Sequence, residues 1–158
     1  MGAYRVRPLK EQDIESVIAI DAMVTGSGGP DRAGFWRGLL SIHASVEEEG
    51  QETAPRAPCL CEVAESREGG GVVGFIIGDV QSWQFGIPRH GRIVTIGVHP
   101  DHGRRGVATL LAESICKTFK KMDLPFVHCM VRPGDPLGDF FRSAGFQSSN
   151  FEVLEQQL

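Results

Sequence analysis

The chain has 158 residues, 41% hydrophobic and 23% charged, a size and balance that favour one globular domain burying roughly 70% of the surface its unfolded form would expose. A net charge of -4 argues against a general nucleic-acid binder, and no apolar run approaches the ~20 residues of a membrane span. The opening MGAYRVRPLK lacks the apolar core of a secretory signal and the Ser or Thr of a myristoylation signal, so a cytoplasmic location is expected.

Tyr4 to Arg7 alternates as a short strand and is ended by Pro8. Glu11 to Met23 reads as a helix with Ile14, Val17, Ile18 and Ala22 on one face. The glycine-rich stretch Thr25 to Pro30 is either a plain connector or part of a substrate lid. Pro30 suits the first position of a second helix, Asp31 to Glu49, whose apolar face carries Phe35, Trp36, Leu39, Leu40 and Ile42 or His43.

Gly50 to Pro58 is a loop. Cys59 to Glu65 and Val72 to Val80, the latter with an alternative end at Phe85, are strands joined by the hairpin connection Ser66 to Gly71. Gly86 to Gly91 turns the chain into a third strand, Ile93 to Val98, stopped by His99-Pro100-Asp101. The turn Gly103-Arg104-Arg105-Gly106 then opens a helix over Arg105 to Lys121, with Val107, Leu110, Leu111, Ile115, Phe119 and Met122 at spacings of three and four. After the break Asp123-Leu-Pro come a β run, Phe126 to Val131, a turn over Arg132 to Pro136 and a short helix, Leu137 to Ala144, stopped by Gly145. Phe146 to Leu154 reads as a final strand or pair of strands. The order β α α β β β α β α β implies a mixed sheet with helices on its faces, an α/β or α+β sandwich.

The turn at Gly103 to Gly106 is a physical recipe for holding phosphate. It aims backbone N–H groups and the positive end of a helix dipole at one point, with two arginines beside it. Between Arg89 and Lys121 seven Lys and Arg residues stand against Asp101 and Glu113, so basic charge gathers here in an otherwise acidic chain. Lys117, Lys120 and Lys121 complement the helix C-terminus; Arg104 and Arg105 sit at the other end, where that explanation does not apply. The four cysteines, Cys59, Cys61, Cys116 and Cys129, form no C-x-x-C pair and match no zinc spacing, so they read as reduced packing groups and no metal is expected. Cys59 and Cys61 share one strand face.

With these motifs placed, the chain resembles the GCN5-related N-acetyltransferase (GNAT) superfamily. The specific part is a strand, then Val98-His99-Pro100, then Gly103-Arg104-Arg105-Gly106-Val107-Ala108 opening a helix. About 35 residues on, Phe141-Arg142-Ser143-Ala144-Gly145-Phe146 fills the family's second motif. The resemblance implies a single acetyltransferase domain over residues 1–158. Its mostly antiparallel sheet would have six to seven strands flanked by about four helices, with the strands at Ile93–Val98 and Phe126–Val131 splayed apart. It implies acetyl-CoA as co-substrate, with its pyrophosphate on the N–H groups of Arg104, Arg105, Gly106, Val107, Ala108 and Thr109. The pantetheine arm would lie in the splay against the backbone of Ile96, Gly97 and Val98, one N–H of which would face the thioester oxygen. Phe141 would lie beside the cofactor. The acceptor would be an amine, and a homodimer would be in keeping with the family. Gly97 itself has two readings, close approach of a cofactor arm or a packing accommodation.

The chain departs from the family pattern in three places. Gly103 stands where the family turn opens with Arg or Gln. The family's tyrosine, a proton donor to the leaving thiolate, is Phe141, or Arg142 if aligned forward from Val131-Arg132; Phe141 has no proton to give. The glutamate that acts as base in relatives acetylating protein N-termini is Met130, and the asparagine of their next turn has Asp135 nearest to it.

A base for the incoming ammonium must then come from elsewhere. His128 shares a strand face with position 130 and titrates near neutrality, about 6.5 unperturbed; it is either that base or a histidine packed in the sheet. His90 precedes the motif strand, His99 caps the turn or faces solvent, and Glu62 and Asp79 on the central strands could act through water. Trp83, Phe85, Trp36 and Phe35 wall an acceptor pocket or fill the core. The alternative to an enzyme is a non-catalytic acyl-CoA-binding or regulatory module on the same fold.

Overall fold

A computed structural model of the chain describes residues 2–25, 32–39, 59–82 and 85–158. Among the described residues five strands and four helices appear in the order β1 (Tyr4–Pro8), α1 (Ile14–Thr25), α2 (33–39), β2 (Cys59–Ser66), β3 (Val72–Gln81), β4 (His90–Val98), α3 (Val107–Lys121), β5 (Val127–His128) and α4 (Pro136–Ser143). The strands form one sheet in the order β1-β2-β3-β4-β5. The β1–β2, β2–β3 and β3–β4 pairs are antiparallel. The β4–β5 pair is parallel, as the α3 crossover between them requires.

Helices cover both faces of the sheet, each with its own core. On one face Val107, Leu111, Ile115 and Phe119 of α3 and Phe141 of α4 pack on Ala64, Ile76, Val80 and Ile93. On the other, Val17, Ile20 and Trp36 pack on Cys61, Val63, Phe75 and Ile77. The aspartates drawn into these layers are paired. Trp36 Nε1 donates to Asp21 Oδ2 at 2.9 Å, and Arg32 lies 3.2 Å from the same carboxylate. Asp13 takes both prongs of the Arg7 fork at 2.6 and 2.9 Å, and the Lys10 N–H at 2.8 Å. The Arg7 guanidinium holds the Asp13 carboxyl below its ordinary range.

The short α4 is stopped at both ends by its sequence. Asp135 accepts the Leu137 N–H at 2.8 Å, with Pro136 following it. At the far end Phe146 N–H reaches Phe141 O and Gly145 N–H reaches Arg142 O, with Gly145 at φ +91°. This is a Schellman motif, and it gives the glycine the stop role expected of it.

Several boundaries differ from the sequence reading. The sheet has five strands among the described residues, not six to seven. Phe146–Leu154 forms no ladder; from Gln147 onward every residue is exposed, because no sheet edge meets that segment's backbone. The Phe126–Val131 run pairs only at Val127 and His128, since the chain diverges from β4 beyond them. The strand from Val72 ends at Gln81 rather than Phe85. The helix after the basic turn starts at Val107, two residues late, because Gly106 adopts the left-handed conformation at φ +80°. Leu40, Ile42, His43 and the rest of the expected Asp31–Glu49 helix beyond residue 39, Trp83, the Thr25–Pro30 loop apart from Thr25, and the whole Gly50–Pro58 loop lie outside the described residues. Among the described residues no helix is long and apolar enough to cross a membrane.

Candidate active site

The site is built where β4 runs past the end of β5. Only two register pairs join these strands, Gly91 with Val127 and Arg92 with His128, supported by a Gly91 N–H to Phe126 O bond of 3.0 Å. From Ile93 to Val98 the β5-facing edge of β4 has no strand beside it among the described residues, so the two strands open into a V whose vertex lies at Arg92 and His128. A bulge between Ile77 and Gly78 lets β4 gain one residue at this point, with Ile77 opposite Thr95 and Gly78 opposite Ile93. Val94 is the extra residue and is exposed.

The ladder decides which groups face the opening. His99 N–H donates to Val73 O at 2.8 Å. In an antiparallel pair bonded positions alternate, so Gly97 and Thr95 exchange their bonds with Phe75 and Ile77. The backbone groups of Ile96 and Val98 are therefore the ones directed into the V. The sequence reading set Ile96, Gly97 and Val98 together against a ligand; Gly97 turns its polar groups to β3. Its missing side chain has a different reason. A Cβ there would lie 2.5 Å from the Phe75 ring, so Gly97 makes room for a core aromatic.

At the open end of the V stands the basic turn. Pro100–His102 is a single 3-10 turn, with Asp101 N–H bonded to His99 Nδ1 at 3.2 Å, the capping role expected of His99. Arg104 and Gly106 both take left-handed backbone, φ +57° and +80°, which curls the intervening N–H groups toward one side. No side chain caps α3, and its first helical bond is Leu110 N–H to Gly106 O. The N–H groups of Val107, Ala108 and Thr109 are thus left without intrahelical partners. Gly103 to Gly106 are all exposed. Tyr4, the chain's one tyrosine, lies behind this turn with its Oη 3.0 Å from His102 Nδ1, at the end of β4 away from the vertex.

At the vertex the strands place Asp79, His90, Arg92 and His128 on one face, opposite α3. Arg92 grips Asp79 with both prongs, Nε to Oδ1 at 3.0 Å, and Gln81 Nε2 adds a bond of 2.8 Å to the same oxygen. That carboxylate raises the Arg92 pKa. His128 is half-buried, and burial first, then its neighbours His90 and Arg92, push its pKa below the ordinary histidine value, with Asp79 opposing. His128 therefore favours its neutral, proton-accepting form.

Other sequence candidates fall elsewhere. Glu62 lies under α3, where Thr118 Oγ1 donates to Oε1 at 3.3 Å, so the sheet separates it from His128. Phe141 is 4% exposed and packs edge-on to Phe146, a core position that leaves little of its ring for a ligand. Met130, next on the His128 face, is 67% exposed. Trp36 is buried against Phe75, while Phe35 is exposed beneath the Arg32 guanidinium. Phe85 is fully exposed. Among the described residues no three His, Cys, Asp or Glu side chains are placed to hold a metal ion. The Asp79–Arg92 fork and the contact of His90 with His128 escaped sequence reasoning, because both depend on cross-strand register.

A five-stranded sheet opens between two parallel strands, with a basic helix start at the mouth that suits a phosphate-bearing ligand. The sequence matches the acetyltransferase (GNAT) family over residues 33–146, and the chain belongs to that family. No curated protein matches it by sequence. Among solved structures it resembles ribosomal-protein-alanine N-acetyltransferase from Brucella melitensis biovar Abortus 2308, with TM-score 0.73 and 16% identity over 99% of each chain. It resembles glucosamine-6-phosphate N-acetyltransferase from Arabidopsis thaliana, with TM-score 0.70 and 14% identity over 97% of each chain. A third likeness, also at TM-score 0.70 and 14% identity over 98% of each chain, is to AAC(6')-Iy in complex with the bisubstrate analogue CoA-S-monomethyl-acetylneamine. At these identities the likeness is one of fold.

Proposed function

We propose that residues 1–158 form one cytoplasmic acetyltransferase domain that moves an acetyl group from acetyl-CoA directly to a primary amine, with no metal. The observation that carries this reading is the continuous path from the uncapped start of α3, along the open edge of β4, to His128 at the vertex. The group fits the residues present: the N–H groups of Arg104 to Thr109, with the Arg104 and Arg105 side chains, suit a pyrophosphate. The outward backbone groups of Ile96 and Val98 suit the amides of a pantetheine arm laid in as an added strand. Gly97 supports that edge from the β3 side, and Phe141 the floor beneath it. The fold relative bound to a CoA bisubstrate analogue is in keeping with this.

Acetyl-CoA supplies the activated acyl group. His128 accepts a proton from the acceptor ammonium, leaving the amine lone pair free. A C–N bond then forms as the thioester C–S bond breaks, the nitrogen gives up its second proton to solvent, and an outward N–H of β4 stabilises charge on the thioester oxygen. Phe141 cannot protonate the departing thiolate, so solvent water does. An amine acceptor rather than nucleic acid or a membrane suits the net charge of -4. Three solved relatives act by name on, or hold analogues of, different amines, so the fold is compatible with more than one class of amine acceptor. A homodimer remains part of the proposal.

The test is thiol release from acetyl-CoA in the presence of neamine, an alanine-terminated peptide or glucosamine 6-phosphate. Turnover on one of them, falling about 100-fold in kcat in His128→Ala, is the expected result. Tight CoA binding without turnover on any amine would instead establish the non-catalytic acyl-CoA-binding module, which the absence of a tyrosine at position 141 would suit.

A further inference from the structure

Three polar side chains are buried among the described residues, Asp13, Asp21 and His90. The two aspartates face arginines. His90, 1% exposed, faces another imidazole: the His90 and His128 ring centroids are 4.7 Å apart, the planes tilted by 40°. On its other contact His90 stacks on Phe126 at 4.8 Å and 14°. Its Nδ1 lies 2.7 Å from Pro88 O. A carbonyl oxygen only accepts, so Nδ1 carries the proton and the tautomer is fixed. The ring of His90 is thus held by a hydrogen bond at one edge and an aromatic plane on one face before His128 touches it.

A phenylalanine would fill this space at less desolvation cost than a histidine, so packing alone gives no reason for an imidazole here. The neighbour it meets does. Two touching imidazoles do not both hold a proton charge cheaply. The charged groups acting on His128 are Arg92 and Asp79, which oppose one another and are locked together in their own fork. We propose that His90 is a positioning residue: it holds the His128 imidazole in one orientation at the vertex of the β4–β5 opening and disfavours charge on it. The proposal rests on the reading of His128 as the base. His90 touches neither the amine nor the acetyl group; it acts through His128.

The test is a pH titration of the five histidines in the folded protein labelled with ¹⁵N-histidine, run beside turnover with the three amine probes above. In the wild type His90 should show a slowly exchanging proton on Nδ1 and a ring-to-ring Overhauser effect with His128. In His90→Gln the repulsion is gone, so the His128 midpoint should move upward. In His90→Phe, which keeps the stacking volume, kcat should fall about tenfold with the KM for acetyl-CoA unchanged. The double variant His90→Phe/His128→Ala should be no slower than His128→Ala alone. A wild-type Nε2–H tautomer, an unmoved His128 midpoint in His90→Gln, or losses that add in the double variant would each overturn the proposal. The wild-type tautomer decides the matter even if both His90 variants fail to fold. Wild-type kcat in His128→Ala would remove the base reading instead, leaving the titration to judge the hold of His90 on its neighbour.

Discussion

Replacing Gly97 by alanine separates two explanations for a glycine in the middle of β4. Its added Cβ would stand 2.5 and 2.6 Å from Cε1 and Cζ of Phe75, about 1 Å inside ordinary carbon–carbon contact. Phe75 cannot swing away freely. It is 1% exposed and meets Trp36 edge-on at 4.9 Å, and Trp36 is tied to Asp21. Overpacking of this kind costs about 1–3 kcal/mol, offset by roughly 0.5–1 kcal/mol because alanine loses less chain entropy than glycine on folding. A net loss of about 1–2 kcal/mol corresponds to a Tm lower by roughly 2–8 °C in a domain of this size. Because the polar groups of Gly97 face β3, the affinity for acetyl-CoA should stay within about twofold of the wild type, measured by calorimetric titration. Trimming the obstacle should rescue the fold: Phe75→Leu combined with Gly97→Ala should be less destabilised than the two single losses summed, by about 1 kcal/mol. Unchanged stability with a tenfold loss of acetyl-CoA affinity would refute this reasoning and make Gly97 a site of ligand approach.

Three further outcomes follow from the same geometry. Gly106→Glu places a negative side chain at the mouth of the phosphate cradle, on backbone at φ +80°; the KM for acetyl-CoA should rise at least 100-fold, and an unchanged value would sink the assignment of that turn. Asp13→Asn should flatten the acid limb of stability. The folded Asp13 pKa is depressed by Arg7, so its contribution is complete above the ordinary value of 3.8 and is lost as pH falls through the folded value. Equal acid sensitivity of variant and wild type in urea titrations would contradict it. Glu62→Met should raise stability by about 1 kcal/mol, because Glu62 Oε2 is buried without a hydrogen-bond partner among the described residues; a lower urea midpoint would show that the Thr118 bond outweighs that orphan.

The chain's own order of residues determined much of this protein. Apolar spacing of three and four marked α3, the glycine-rich Ser66–Gly71 connection marked the β2–β3 hairpin, and Gly145 marked the end of α4, while the Asp135 cap at its start emerged with the structure. The pair Gly103–Gly106 and Phe141–Phe146 carried the family. These features are local: helix period, capping and left-handed turns are read within a few residues. What only the tertiary structure decided is non-local. The Phe126–Val131 run is β-forming throughout, yet two of its residues find a partner strand, and that shortfall creates the opening on which the proposed function rests. The final segment is rich in apolar residues but meets no edge. Gly97 proved to make room for Phe75, and Ile96 and Val98 to face the V, because ladder alternation follows from which β3 residue lies opposite. One step of register moves every side chain to the other face of a sheet, so the meeting of His90, Arg92, Asp79 and His128 at one vertex, with Glu62 left beneath α3, could be settled only once the strands were paired.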